Sequence, residues 1–301
     1  MKQPDLVEMA LTLARQMVLD LARPDRTPER FREIAQQSTE MLAAAGSVSA
    51  EDVARRLEEE FDTWVPPAIA VHDANGHIPW LDRRREEINF AYWERYKTLL
   101  SRGDNPWKPS AIEALDEATD QILGFMEDPQ RQGGWRVQGL VYGQVQSGKT
   151  ASYTGVICKA VDAGYQLVIV LTSQHESLRH QTQERLDREF LGFNTKFTRV
   201  QSANNSKYIG VGDLGLKRPD VICQAATTRD NDFTSAMFQG TAIDLHDVRV
   251  LVVSKKNKKI LDNLYDWLAT FAEQHPDGPK ITNAPLLLID DEADYASVDT
   301  R

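Results

Sequence analysis

The 301-residue sequence predicts an α/β fold, with a mostly parallel sheet flanked by helices and an α-helical N-terminal region before it. Three observations carry this. From Trp135 onward, short apolar runs alternate with helix-length stretches, the pattern of βαβ units. Before Trp135, apolar residues recur at spacings of three and four, the period of a helix face. One apolar run in the second half empties into a glycine-rich turn that opens a helix, and another runs straight into acids.

The first 67 residues read as a helical module. Leu6, Met9, Ala10, Leu13, Met17 and Leu21 form one stripe, which ends at Arg23-Pro24. Thr27-Pro28 offers an N-cap and a first-turn proline for a second helix with Phe31, Ile34, Ala35, Met41 and Leu42. Ser49 and Asp52 form a capping-box pattern before Val53, Leu57 and Phe61. Protein docking or plain structure is the expected role, since no DNA-recognition helix is evident. Residues 68–134 read as a helical segment packing on the core, with a helix over Trp80–Leu100 and another opened by Ser110 and Glu113. Arg83-Arg84-Arg85 beside Glu86-Glu87 is read as a solvated helix face.

Residues 135–301 form the α/β domain. Strands are expected at Val137–Tyr142, Leu167–Thr172, Val221–Ala225, Val248–Val253 and Leu286–Ile289, with a brief, half-polar sixth at Phe197–Val200. Helices are expected at Lys149–Ala163, Glu176–Phe190 and Asn257–Glu273.

Composition bounds the function. Hydrophobic residues make up 41% and charged residues 27%, which are globular values. No apolar run reaches the length of about eighteen residues that a membrane span needs. The N-terminus lacks the basic-then-apolar order of a signal peptide, so a cytoplasmic protein with no membrane partner is expected. A net charge of −10 argues against a broad basic coat for nucleic acid and leaves room for a local groove. Cys158 and Cys223 lack metal spacing and are expected as buried free thiols.

Two stretches carry chemistry. Gly143-Gln144-Val145-Gln146-Ser147-Gly148-Lys149-Thr150 fits the phosphate-loop pattern G-x-x-x-x-G-K-[ST], with Ala151 continuing the helix start. Gly143 and Gly148 let backbone N–H groups ring a phosphate, and the helix start directs its positive end at the same anion. Lys149 supplies charge to the outer phosphates, and Thr150 offers a hydroxyl to Mg²⁺. The second stretch, Leu286-Leu287-Leu288-Ile289-Asp290-Asp291-Glu292-Ala293-Asp294, places acids at the carboxyl end of a strand, where parallel sheets bind ligands. Asp291 is read as the Mg²⁺ residue and Glu292 as the group that polarises an attacking water; Asp290 is the alternative metal residue if the register lies one earlier.

Two further loops follow strands. Thr172, Ser173, Gln174 and His175 are suitable donors to a nucleic-acid backbone; a helix cap and polar surface is the equal alternative. Ser254-Lys255-Lys256-Asn257-Lys258-Lys259 puts lysines at a strand end in an acidic protein, so Lys255 and Lys256 are candidate phosphate contacts. Lysines at a helix start oppose the helix dipole, which weighs against mere surface decoration. His175 and His180 have no convincing zinc spacing.

The stretches "GQVQSGKTASYTG" (Gly143–Gly155), "SLRHQTQERLD" (Ser177–Asp187), "KKNKKILDNLYDWL" (Lys255–Leu268) and "LLLIDDEADYASVDT" (Leu286–Thr300) together resemble the Z-one domain family. Those are large bacterial P-loop proteins, often labelled endonucleases and similar to superfamily-two helicases. The resemblance runs from about Trp80 to the C-terminus. It implies a RecA-like P-loop ATPase core using ATP and Mg²⁺, and a DNA-directed role in anti-phage or restriction-type defence beside other defence proteins. The chain ends at Arg301, seven residues after Asp294, where such motors continue into a second RecA-like domain bearing an arginine finger. A fragment or one part of a split motor, with weak hydrolysis alone, is therefore expected. No adenine-reading glutamine loop is evident around Trp107–Ile122, and no nuclease carboxylate–lysine cluster supports the endonuclease label. The rival reading is a nucleotide-dependent switch or docking module; a small-molecule kinase is a third, disfavoured by the acidic strand's sequence.

Overall fold

The computed structural model describes residues 6–21, 28–43, 46–61, 77–102, 106–141, 149–196, 208–234, 248–274, 276, 278, 280–282, 284–291 and 293. The chain divides into two compact units, one built on residues 1–65 and one on residues 66–142 and 149–301.

The first unit is a three-helix cluster of α1 (Leu6–Leu19), α2 (Pro28–Met41) and α3 (Ala50–Phe61). Phe31, Ile34 and Ala35 of α2 and Val53, Leu57 and Phe61 of α3 are buried together, as their spacing predicts. Ser49 Oγ accepts the N–H of Asp52 at 3.2 Å, the capping contact that opens α3. The buried face of α1 differs from the predicted stripe. Ala10, Leu11, Ala14 and Val18 point inward, while Met9 and Leu13 are about two-fifths exposed at 41% and 39%. α1 is apolar most of the way round, so period alone could not choose its face; the small residues were chosen because they let α2 and α3 approach closely.

The second unit centres on a four-stranded, all-parallel sheet in the order β2-β3-β1-β4. The strands are β1 (Leu167–Thr172), β2 (Cys223–Ala225), β3 (Arg249–Lys255) and β4 (Leu286–Asp290). β1 is central, with Leu167 opposite Val250 on one side and Leu286 on the other. Alternate residues of β1 and β3 enter two cores. Val168, Val170, Leu251 and Val253 pack with Tyr92, Tyr96, Ile157, Leu186 and Phe190. Leu167, Ile169, Val250 and Val252 pack with Phe233, Leu264 and Trp267. Burial on both faces is why these strands read as unbroken apolar runs.

The covering helices are α7 (Lys149–Ala163), α8 (Glu176–Leu186) and α9 (Lys258–Ala269). α8 passes into a widened π-type turn at Asp187–Leu191 and stops at Gly192, which has φ 82°. A left-handed stop of this kind suits glycine. α9 starts one residue after the predicted Asn257, whose side chain instead caps it by accepting the N–H of Lys259.

Residues before Trp135 belong to this unit too. α4 (Leu81–Arg84) runs into a short 3₁₀ turn, and α5 (Ala91–Arg102) follows after a break, so the single helix expected over Trp80–Leu100 is two. α6 (Pro109–Phe125) takes Lys108 as its N-cap and a proline in its first turn. Ser110 therefore lies inside the helix and does not cap it. α5 and α6 are fastened to α7 by polar contacts within an apolar seam. Lys159, only 1% exposed, is paired with Asp116 and with Asp120 at 2.5 Å, and lies 4.4 Å from the Trp93 ring. Asp162 accepts the N–H groups of Tyr92 and Trp93, each at 3.0 Å. A Cβ on Gly155 would meet Thr119 Cγ2 at 2.8 Å, so the α6–α7 approach requires glycine there. Arg83 and Arg85 of the arginine triplet are exposed, as a solvated face requires, with Arg83 donating to the Pro79 carbonyl and Arg85 2.6 Å from Asp120; Arg84 alone is largely buried and reaches Asp128 at 2.5 Å.

Two strand expectations change. Residues 137–141 take no strand pairing, and Val137, Leu140 and Val141 are exposed. A strand exists only through a partner, and β1 already has β3 and β4 on its two sides; Gly139 further weakens the run. β2 shrinks from Val221–Ala225 to three residues, because only Cys223, Gln224 and Ala225 find partners on β3. The Phe197–Val200 candidate lies outside the described residues.

Candidate functional site

Because the strands are parallel, the carboxyl ends of β1, β3 and β4 lie on one edge of the sheet. β4 delivers Asp290 and then Asp291, whose N–H donates to the Leu171 carbonyl at 2.9 Å and so continues the sheet register by one residue. α7 begins at Lys149, so Thr150 sits in its first turn beside the predicted phosphate-loop residues. Residues 142–148, the Lys149 side chain, Glu292 and Asp294 lie outside the described residues.

Tyr153, one turn beyond Thr150 on α7, brings these elements together. Its ring is half-buried against the main core. Burial pushes the phenol up to about 12, and the nearby Asp291 carboxylate pushes the same way; hydrogen bonds from Thr182 and Thr150 and the charge of Arg185 pull it back. Thr150, Asp291 and Tyr153 therefore share one polar neighbourhood. The sequence reading missed Tyr153 and Thr182. The available signal was the three-residue step from Thr150, which puts Tyr153 on the same helix face.

Beneath α7 the polar chain continues. Tyr96 donates to the Ala151 carbonyl at 3.5 Å, and Arg185 lies 3.7 Å from Glu189. These contacts hold the first turn of α7 against α5 and α8.

Asp290 is placed differently from Asp291. Its Oδ1 lies 2.5 Å from Lys256 Nζ, and the Lys256 side chain is only 6% exposed. Asp290 is thus committed to Lys256, and Asp291 follows it at the end of β4.

The loops proposed for nucleic acid are largely occupied by their own fold. Thr172 and Ser173 are buried; the Thr172 hydroxyl donates to the Ser254 carbonyl at 3.3 Å, and Ser173 Oγ accepts the N–H of His175 at 3.2 Å. Gln174 and His175 are exposed. Lys255 is paired with Glu176 and lies 3.9 Å from Asp232. Arg179 anchors this group. It is fully buried, contacts Glu176 at 2.6 Å and Asp232 at 3.7 Å, and donates to the carbonyls of Thr228 and Arg229 at 2.9 and 2.6 Å. Burial pushes the Glu176 carboxyl up, but hydrogen bonds from Lys255 and Arg179 and their charges outweigh it and hold the group at about 2. Asp232 also accepts the Ser254 hydroxyl at 2.9 Å, so one network spans the loops after β1, β2 and β3.

The donor set at Thr150 and Asp291, a hydroxyl and a carboxylate, suits a hard cation such as Mg²⁺. That ion commonly takes one or two protein oxygens and completes its shell with water and substrate phosphates. Among the described residues no group of three His, Cys, Asp or Glu side chains forms a metal cluster. Both cysteines are buried and free.

Fold and site together define an α/β protein with a polar site at the carboxyl edge of a parallel sheet. Comparison with known protein families, characterised proteins and solved structures finds no match. No described helix is long and apolar enough to cross a membrane.

Proposed function

We propose that the chain is a RecA-like P-loop ATPase domain that binds ATP with Mg²⁺ and hydrolyses it as part of a DNA-directed, helicase- or translocase-like protein of bacterial defence, acting in the cytoplasm. One observation supports the nucleotide reading: the phosphate-loop sequence leads into α7, whose first turn holds Thr150, and Asp291 follows β4 at the carboxyl edge of the parallel sheet. The sequence motif supplies the phosphate-binding half of such a site, and an acid at the carboxyl end of a parallel strand is where its metal-holding half would be sought. The DNA-directed and defence parts rest on the resemblance to the Z-one domain family.

In this reading the backbone N–H groups of Gly143–Gly148 and the start of α7 hold the phosphates, and Lys149 neutralises their outer charge. Thr150 and Asp291 hold Mg²⁺, which when bound spreads the charge of the outer phosphates. Glu292 orients the attacking water and takes up its proton.

Lys149→Ala should weaken ATP binding at least ~10-fold in a calorimetric titration, the scale of one lost charge-assisted contact. Glu292→Gln should keep binding and lower turnover by roughly 10²–10⁴-fold. Unchanged affinity in Lys149→Ala would sink the assignment.

A second reading has its own support. The ion pairs of Lys255 and Lys256 with Glu176 and Asp290 commit both charges within the fold. That favours a nucleotide-dependent switch that engages a protein partner over a groove that tracks a DNA backbone. ATPase rate with and without single- and double-stranded DNA separates the two: stimulation that fades as salt rises supports the motor, and indifference to DNA supports the switch.

A further inference from the structure

We propose that residues 137–141 are a detachable fifth strand, which docks in parallel on the outer edge of β4 when nucleotide binds. The inference rests on the nucleotide-site reading given above and adds a closing step to it.

The outer edge of β4 is made for pairing. The Asp291 N–H donates to the Leu171 carbonyl, and the Pro285 carbonyl accepts from Leu167, both toward β1. Backbone groups alternate sides along a parallel strand, so those of Leu286, Leu288 and Asp290 face away from β1. β4 is the last strand of the sheet, and among the described residues no backbone group meets them. Neither proline nor lysine interrupts Leu286–Asp290, and Leu288 is 54% exposed. Folded chains ordinarily cover or blunt an apolar edge of this kind.

The segment that fits it lies in the same unit. Residues 137–141 take no pairing, and Leu140 is 65% exposed. Trp135 stands against Tyr165, with ring centroids 5.9 Å apart, in the apolar cluster that Leu287 also joins. Tyr165 comes two residues before β1, so the segment departs from the amino edge of the sheet. It leads to α7, whose far end returns through Gly164 to Tyr165; the start of α7 therefore lies toward the carboxyl edge. The segment thus runs in the direction of β4. A strand there would join β1 through α7, the helical crossover that parallel strands need. Alternation puts Leu140 on one face and Val137 and Val141 on the other. With Leu140 beside Leu288, Val141 falls beside Ile289, and both exposed apolar runs are covered. The docked strand then ends where the phosphate-loop sequence begins, level with Asp291.

Hydrogen–deuterium exchange of the full chain, with and without ATP and Mg²⁺, tests this. The ligands should slow exchange in the peptides spanning 137–141 and 286–290 together, by ~10-fold or more. Leu140→Pro and Val141→Pro sharpen the test, since both residues are exposed and neither is needed for the fold described. Successive N–H groups point to opposite sides of a strand, so only one of these prolines deletes a bond to β4. That variant should lose the protection and bind ATP ~5-fold more weakly, the scale of one lost hydrogen bond, while the other stays within about 2-fold of the parent. Equal effects of the two prolines overturn the inference. ATP binding seen by calorimetry with no added protection in either peptide overturns it and leaves the nucleotide site standing. So does full protection of both peptides before ATP is added. Protection of β4 that follows protein concentration and not ATP assigns the edge to a second copy, and overturns it too. If the parent binds no ATP, the nucleotide-site reading falls, and this inference with it.

Discussion

Two polar groups sit on the same edge of the sheet, and they are built on opposite principles. Around Arg179, cations and acids answer each other. Glu176, Asp232 and two backbone carbonyls meet one buried guanidinium, and Lys255 joins from the rim. Around Tyr153 the acting groups are oxygens: the hydroxyls of Thr182 and Thr150 lower the phenol, and the Asp291 carboxylate raises it. A self-neutralised network of the first kind holds loops in place. A set of oxygens of the second kind has chemistry to offer an incoming cation. Asp290 and Asp291 are adjacent in sequence, yet Asp290 is paired with Lys256 while Asp291 carries the sheet register on through its N–H to the Leu171 carbonyl.

The comparison breaks most readily at Arg179. Arg179→Ala leaves the Thr228 and Arg229 carbonyls without their donor and removes a buried cation from between Glu176 and Asp232, and should cost about 3–5 kcal/mol in urea denaturation. A loss below about 1 kcal/mol would mean that water already reaches these groups. Next in size is the contrast between the adjacent acids. Asp291→Asn should weaken Mg²⁺-dependent ATP binding ~10-fold or more, whereas Asp290→Asn should leave the Mg²⁺ dependence near that of the parent. Equal effects would erase the distinction.

A pH series sharpens a third point, the seam between α5 and α7. Burial pushes the Asp162 carboxyl from 3.8 to about 7, against the pull of two amide hydrogen bonds and Arg95. A group raised in the folded state favours folding below its unfolded value, and that contribution is lost as pH climbs through the folded one. Thermal stability should therefore carry a component that declines between about pH 4 and pH 7. Asp162→Asn should flatten it while keeping an acceptor for α5. The smallest effect belongs to Lys255→Ala. Glu176, its partner, keeps 42% of its side-chain surface exposed, so the stability change should be below about 1 kcal/mol. If the same variant also lowers the salt dependence of DNA binding, Lys255 leaves its acid for phosphate and the motor reading gains.

Much of this architecture was legible in the chain. Leu167–Thr172 and Lys149–Ala163 were read to the residue, because one is a strand buried on both faces and the other a helix opened by a sharply defined turn. The capping contact of Ser49 was equally local. The misses share one cause. The inward face of α1, the length of β2 and the lack of pairing at residues 137–141 all depend on which partner arrives. Tyr153 was hidden for the same reason, since a tyrosine on an apolar helix face reads as core until its hydroxyl's neighbours are known.

The sequence by itself determined the motifs and the kind of fold. Periodicity marks helix and strand, and glycine, proline and acid spacing mark turns and candidate ligands; all of these act within a few residues along the chain. Only the tertiary structure decided which lysines are already paired, which face of α1 turns inward and which apolar run joins the sheet. Those outcomes depend on strand order and helix placement, which bring together residues far apart in the chain, and no local pattern encodes them.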